Sequence, residues 1–274
     1  MMQKIDSCSV ATAIATEDIL KNIVMSKNIA VARNLRQIHE LQEWREQAPI
    51  AIVGGGPSLK DTLEELKRYK NIIACGSVHD FLIENGVIPN WCVLCDPDEI
   101  VANYLRRARH PVKYLVSSQC HEKVWEVLSE HSPIIWHASG SNVDASIFGD
   151  SIGIGGGCTV GTRAIIIAMA FGFKDLHLFG MDTCLSNDYK HHAYEFDNPE
   201  KETIGNIFEI KLGGPESPTF KVAGYMLGQL FDFKAILKAH ASSINVKVFG
   251  GGLLDYVMKY GELQHSKNKQ LEVN

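Results

Sequence analysis

Two glycine clusters, two strand-end carboxylates and a pair of adjacent histidines are the groups in this chain that could do chemistry. Gly54, Gly55 and Gly56, with Pro57 and Ser58, follow the apolar run IAIV and precede a helix-like segment. Glycine is costly to order, so three in a row at such a turn imply a need for bare backbone. One use is a phosphate cradle, in which peptide N–H groups and the next helix's N-terminus face an anion. The pattern is neither GxxxxGK[ST] nor GxGxxG, since Leu59 stands where the last glycine of the latter belongs. The bland alternative is a tight strand-to-helix turn that holds no ligand.

A second cluster, Gly153 and Gly155 to Gly157, leads through Cys158 and Thr159 into a long apolar stretch. Thr159 and Thr162 there mark a second potential anion site at a helix start. Gly76 and Ser77 close another apolar run, and Asp96 and Asp182 close two more. Carboxylates at strand ends can hold Mg²⁺ beside phosphates or bond a ribose; capping and loop solvation are the alternatives. Asp98 opens the next segment and reads as a cap. His191 and His192 lie in a long loop with Tyr194, Asp197 and Asn198, where an imidazole can act as acid or base near neutral pH. Cys92 and Cys95 form a lone CxxC on an apolar run, where residues three apart face opposite sides, so both read as buried structural thiols.

These groups are punctuation between regular elements. After Pro49, short apolar runs at 50–53, 71–75, 91–95, 112–116, 134–137, 175–179 and 246–249 read as strands. Helical spacing fits 59–68, 78–85, 99–108, 121–129, 159–171, 219–240 and 253–260. Such alternation predicts an α/β fold, a Rossmann-like and mainly parallel sheet with helices on both faces. An amphipathic helix over 28–46 precedes it, placing Leu35, Ile38, Leu41 and Trp44 on one side. The expected organisation is an N-terminal helical extension over 1–48, a nucleotide-binding body over 49–260 with a lid-like insertion at 181–218, and a polar tail over 261–274.

The 274 residues are 45% hydrophobic, enough for a large core, and carry a net charge of −5. That balance argues against a nucleic-acid or anionic-membrane surface over the whole protein and favours small-molecule partners. Seven scattered cysteines and an opening without a leader pattern point to a cytoplasmic setting. The longest apolar run, 164–173, is well short of the roughly twenty residues that cross a bilayer.

GGGPSL, ACGSV, CDP, GGGCTVGTRAIIIAMAFGFKDLHLFGMD and HHAYEFDN, in that order, resemble the MptE-like 6-hydroxymethylpterin diphosphokinase family, which includes motility-associated flagellin glycosylation factors. They are also similar to bacterial lipooligosaccharide sialyltransferases, and the likeness covers about 49–198. The resemblance implies a Rossmann-like nucleotide site. In it Gly54 to Ser58 cradle donor phosphates, Gly76, Ser77 and Asp96 border the nucleotide, Thr159 contacts phosphate or sugar, and Asp182 meets the ribose or a metal. Where the sialyltransferases place a catalytic histidine before the last long helix, this chain has Pro218-Thr219-Phe220-Lys221. Three readings follow: sugar transfer from a nucleotide-sugar donor, with His191, His192 and Asp182 as catalytic candidates; ATP- and Mg²⁺-dependent diphosphate transfer to a pterin-like alcohol, with Asp96 and Asp182 on the metal; and a nucleotide-binding module without catalysis.

Overall fold

The computed structural model describes residues 16–41, 48–139, 151, 153–195, 206–212 and 217–260. Its centre is an eight-stranded sheet whose strands all pair in parallel. In chain order the strands are β1 (Ile50–Val53), β2 (Asn71–Cys75), β3 (Trp91–Leu94), β4 (Lys113–Ser117), β5 (Ile134–Ala138), β6 (Gly153–Ile154), β7 (Asp175–Phe179) and, at the far edge, β10 (Asn245–Phe249). A separate antiparallel hairpin pairs β8 (Ile207–Lys211) with β9 (Thr219–Ala223). The spatial order is β10-β7-β1-β2-β3-β4-β5-β6, so the chain reverses direction across the sheet between β1 and β7.

Central strands buried on both faces need apolar residues at every position, and IAIV and NIIAC of β1 and β2 are buried throughout. Alternate side chains feed two cores. Ile50, Ile52, Trp91 and Leu178 meet α5 (Val160–Ala170), α6 (Gly224–His240) and α7 (Leu253–Tyr260) on one face. On the other, Ala51 and Val53 meet α2 (Leu59–Leu66) and α3 (His79–Glu84), while Cys92 and Tyr114 meet α4 (Glu122–Val127) and the 3-10 helix Glu99–Leu105. The expected α/β sheet with helices on both faces is therefore what the chain forms. Cys92 and Cys95 sit in opposite cores as free thiols.

The N-terminal expectation needs correction. The helix is α1 (Thr16–Ala32), not 28–46. Asn34 adopts φ +49, the Leu35 amide reaches back to the Ala30 carbonyl, and the Asn34 amide to that of Val31. This is a Schellman stop, with asparagine in the left-handed position that glycine usually fills. Leu35, Ile38 and Leu41 keep their apolar spacing in a turn and extended segment beside β5, where the Ile135 amide bonds the Arg36 carbonyl. Residues 42–47 and 261–274 lie outside the described residues, as do Asp197 and Asn198.

The helix expected over 219–240 is also two elements. Thr219 to Ala223 alternate toward exposed and buried sides and pair with β8 inside the expected loop, and only Gly224 starts α6. The segment expected over 99–108 is helical but wound as a 3-10 helix, with the Asp98 carboxylate accepting the Ile100 amide as its cap. No described helix is long and apolar enough to cross a membrane.

Candidate functional site

Ligands in open parallel sheets bind beyond the carboxyl ends of the strands where strand order reverses, here between β1 and β7. A cavity of about 220 Å³ lies there. Its walls come from the glycine turn after β1, the Gly180–Cys184 segment after β7, the first turn of α5, the loop histidines and the first turns of α6.

The glycine turn is fastened to the end of β7. The Gly54 amide donates to the Phe179 carbonyl at 2.8 Å and the Gly56 amide to that of Gly180 at 2.7 Å. A Cβ on Gly54 would lie 2.6 Å from the Gly180 oxygen, and one on Gly56 2.7 Å from the same atom. One on Gly55 would meet the Tyr194 hydroxyl and the His192 ring. Close approach of protein to protein therefore requires all three glycines. The expected cradle is correspondingly narrower, because the Gly54, Gly56 and Ser58 amides already have acceptors. The Gly55 amide donates to nothing among the described residues, and its carbonyl receives the Ala193 amide at 2.9 Å, holding the loop over the turn.

Asp182 lines the cavity, yet it is 6% exposed and clamps the turn. Its Oδ2 accepts the Ser58 amide at 2.8 Å and its Oδ1 the Ser58 hydroxyl at 2.5 Å. Burial pushes its carboxyl above the usual range while the Ser58 bonds oppose that shift. Asp96 does not line this cavity; it receives the Asp98 amide at 3.0 Å, and burial likewise raises its carboxyl. Pro57, Ser58 and Gly76 also stand behind the wall, whereas Ser77 and Thr159 reach it. The expected pair of metal carboxylates does not share this site: Asp96 stands outside the cavity, both Asp182 oxygens accept bonds from Ser58, and among the described residues no three His, Cys, Asp or Glu groups are placed to hold a metal.

At the start of α5, Thr159 caps Thr162 through its side chain. The glycine cluster before it already holds an anion of the protein's own, since the Cys158 amide donates to Asp232 Oδ2 of α6 at 2.7 Å. Gly157, at φ +87, lies so near that carboxylate that no side chain fits. Val160 and Gly161, one turn further in, line the cavity, and their amides have no acceptor among the described residues.

His191 and His192 both line the cavity, with ring centroids 4.0 Å apart. The hydroxyl of Tyr225, in the first turn of α6, is 2.6 Å from His191 Nε2. Sequence reasoning missed Tyr225 because it read 219–240 as one helix, which hides a new N-terminus at Gly224. It also missed Thr183, a β-branched residue held at φ +53 on the cavity wall with its hydroxyl buried and unpartnered among the described residues. Such strain persists only where surrounding packing enforces it. Burial pushes the cavity thiols Cys75 up to about 12 and Cys184 to about 11, which keeps both protonated near neutral pH.

No curated protein matches the chain. Among solved structures it is similar to the MAf glycosyltransferase from Magnetospirillum magneticum AMB-1, at 21% identity and TM-score 0.61, over 86% of this chain. The chain spans only 38% of that protein's length, and the likeness is one of fold. It is also similar to the monofunctional alpha-2,3-sialyltransferase Cst-I from Campylobacter jejuni, at 17% identity and TM-score 0.48, over 87% of this chain and 89% of the other. The family model described as 6-hydroxymethylpterin diphosphokinase MptE-like matches residues 24–188, more than half of the chain and every strand from β1 to β7, and the chain belongs to that MptE-like family.

Proposed function

We propose that the chain is a nucleotide-dependent transferase that moves a sugar from a nucleotide-sugar donor to a hydroxyl acceptor. The observation that carries this reading is one cavity in which unused backbone amides of Gly55, Val160 and Gly161 share a wall with the His191–Tyr225 pair. Amide donors at a helix start suit a leaving phosphate, and a fixed imidazole suits a hydroxyl nucleophile. In the reaction the acceptor oxygen forms a bond to the anomeric carbon as the bond from that carbon to the phosphate oxygen breaks. The bonding pair departs on the phosphate, which the amides receive, and the acceptor proton passes to His191. Tyr225, 2.6 Å from His191 Nε2, holds the imidazole in place for that transfer. Ala193, bonded to Gly55, keeps the loop over the reacting atoms and limits water.

A thermal-shift screen of CMP, CDP, UDP, GDP and ATP, with and without Mg²⁺, tests the reading. A nucleotide at about a hundred times its dissociation constant adds roughly 2.7 kcal/mol of stability. No shift with any of them removes nucleotide binding altogether. For the bound nucleotide, Tyr225→Phe and His191→Ala should cut transfer by about 10²-fold or more while binding changes little. The family match favours a second reading, ATP-dependent diphosphate transfer to a pterin-like alcohol. Release of AMP from ATP with Mg²⁺, stimulated by the alcohol, would establish it instead, and binding without any turnover would leave a non-catalytic module.

A further inference from the structure

A second cavity of about 420 Å³ opens along the same end of the sheet, beyond β2 and β3. Its walls are the exposed side of α3, the end of the 3-10 helix Glu99–Leu105 with the two arginines after it, and the loop residues Tyr194 and Glu195. Ser77 lines both cavities. Tyr194 is the partition between them: its hydroxyl lies over Gly55, its ring is 5.2 Å from that of His192, and it stacks on Phe81 at 5.0 Å and 27°.

The two cavities differ in what they can hold. The first is below the roughly 300 Å³ at which ligand pockets begin, and its polar lining includes backbone amides and the imidazoles of His191 and His192. A donor's phosphate region fits it, and a second substrate does not fit beside it. The second has ligand-pocket size, and its charges nearly cancel: Arg106 and Arg107 face Asp80, Glu84 and Glu195. Arg107 is paired with Glu84 at 2.6 Å, and its amide donates to Asp80. Glu195 is likewise paired, with Lys190 at 3.1 Å, so neither a polyanion nor a cation meets a net opposite charge there. A neutral ligand with many hydroxyls uses both kinds of group at once, since adjacent hydroxyls donate to carboxylates and accept from guanidinium and amide N–H. Asn103 adds an exposed amide, and the rings of Phe81 and Tyr104 add apolar wall for the C–H side of a sugar ring.

The geometry points to this second cavity as a binding site for a neutral, polyhydroxylated ligand of the carbohydrate class, delivered past Tyr194 and Ser77 toward His192. It rests on the transferase reading only for its role, which is then that of the acceptor. The site itself stands on its own residues.

Saturation-transfer NMR on the full chain, with methyl β-galactoside, methyl N-acetyl-β-glucosaminide and methyl α-mannoside as probes, reads it directly. At least one glycoside should bind, and its signal should persist or strengthen when the best nucleotide of the thermal screen is added. Phe81→Ala and Asn103→Ala should each weaken glycoside binding by about tenfold with the nucleotide shift unchanged. Asn103 is exposed, so its variant reports even if Phe81→Ala fails to fold. Displacement of the glycoside by nucleotide, or variants that weaken nucleotide instead, would show that the donor itself occupies this cavity and overturn the proposal. So would the absence of binding by all three glycosides, or binding that ignores both substitutions. Glycoside binding that needs Phe81 and Asn103 in a protein that takes no nucleotide would keep this site and sink the transferase reading.

Discussion

Neighbouring glycines of the turn meet different obstacles, and that separates their substitutions. A methyl group on Gly54 runs into backbone, the Gly180 carbonyl at 2.6 Å, which cannot move without disturbing β7. Gly54→Ala should therefore lose about 1–3 kcal/mol in urea unfolding. At Gly55 the obstacles are side-chain groups of a loop, Tyr194 and His192. Gly55→Ala should stay within about 1 kcal/mol of the parent yet expose Lys190 to trypsin, because the loop must lift; equal destabilisation by both variants would make the loop part of the core. Asp182, expected from its strand-end position to meet a ligand, also fastens the turn. Its buried oxygens take both an amide and a hydroxyl from Ser58, and asparagine can keep only one of them as acceptor. Asp182→Asn should cost about 1–3 kcal/mol. A variant as stable as the parent, with weaker nucleotide binding, would return Asp182 to a ligand role. The glycines were legible as a demand for bare backbone, but their neighbours come from β7 and the loop, which no local reading supplies.

Among the elements, what could be read was whatever local pattern decides. Runs such as IAIV and NIIAC can only be doubly buried strands, and the structure starts and ends both where the sequence does. The misread elements are those in which one apolar spacing serves two conformations. Leu35 and Ile38 continue the helical period of α1, but Asn34 has already turned the chain. Thr219 to Ala223 could extend α6, but pairing with β8 takes them, and β8 lies in a segment that reads as loop. That hairpin also anchors the loop below it. Lys221 Nζ lies 3.5 Å from the Tyr189 ring centroid and bonds the Asn187 carbonyl at 3.1 Å. A cation–π contact of this kind is worth about 0.5–1 kcal/mol, so Lys221→Ala should speed hydrogen exchange of the Tyr189 and Lys190 amides by about two- to fivefold and leave the core amides unchanged. Unaltered exchange at both amides would mean that the loop is held from elsewhere.

At the scale of the whole molecule, buried histidines set a pH limit. His137, at the end of β5, is 2% exposed beside Ser118, and burial, with Lys27 and His39 adding to it, lowers it to about 4. Below pH 6.5 the unfolded chain takes a proton that the fold refuses until about pH 4, so this stability is present above 6.5 and lost across that window. The loss is on the order of 3 kcal/mol. His131 and His177, also lowered chiefly by burial, act in the same direction. Asp96 and Asp182, raised by burial, act in the opposite direction above the ordinary carboxylate range. Urea midpoints between pH 7.5 and 4.5 should fall as acid is added, and less steeply in His137→Gln. An unchanged slope in that variant would place the acid sensitivity in other groups.

The pairing of β1 with β7 fixes an order of events during synthesis. β1 precedes its partner β2 directly in the chain, but its other edge waits for Leu176 to Phe179, which follow the whole run from β2 to α5. Until then the most apolar strand of the sheet is an open edge, the kind of surface that pairs with other chains or is shielded by chaperones. The Gly54 and Gly56 amides find their acceptors at Phe179 and Gly180 only when that edge closes. A nascent chain stopped before residue 175 would carry the glycine turn in full and still have no cavity.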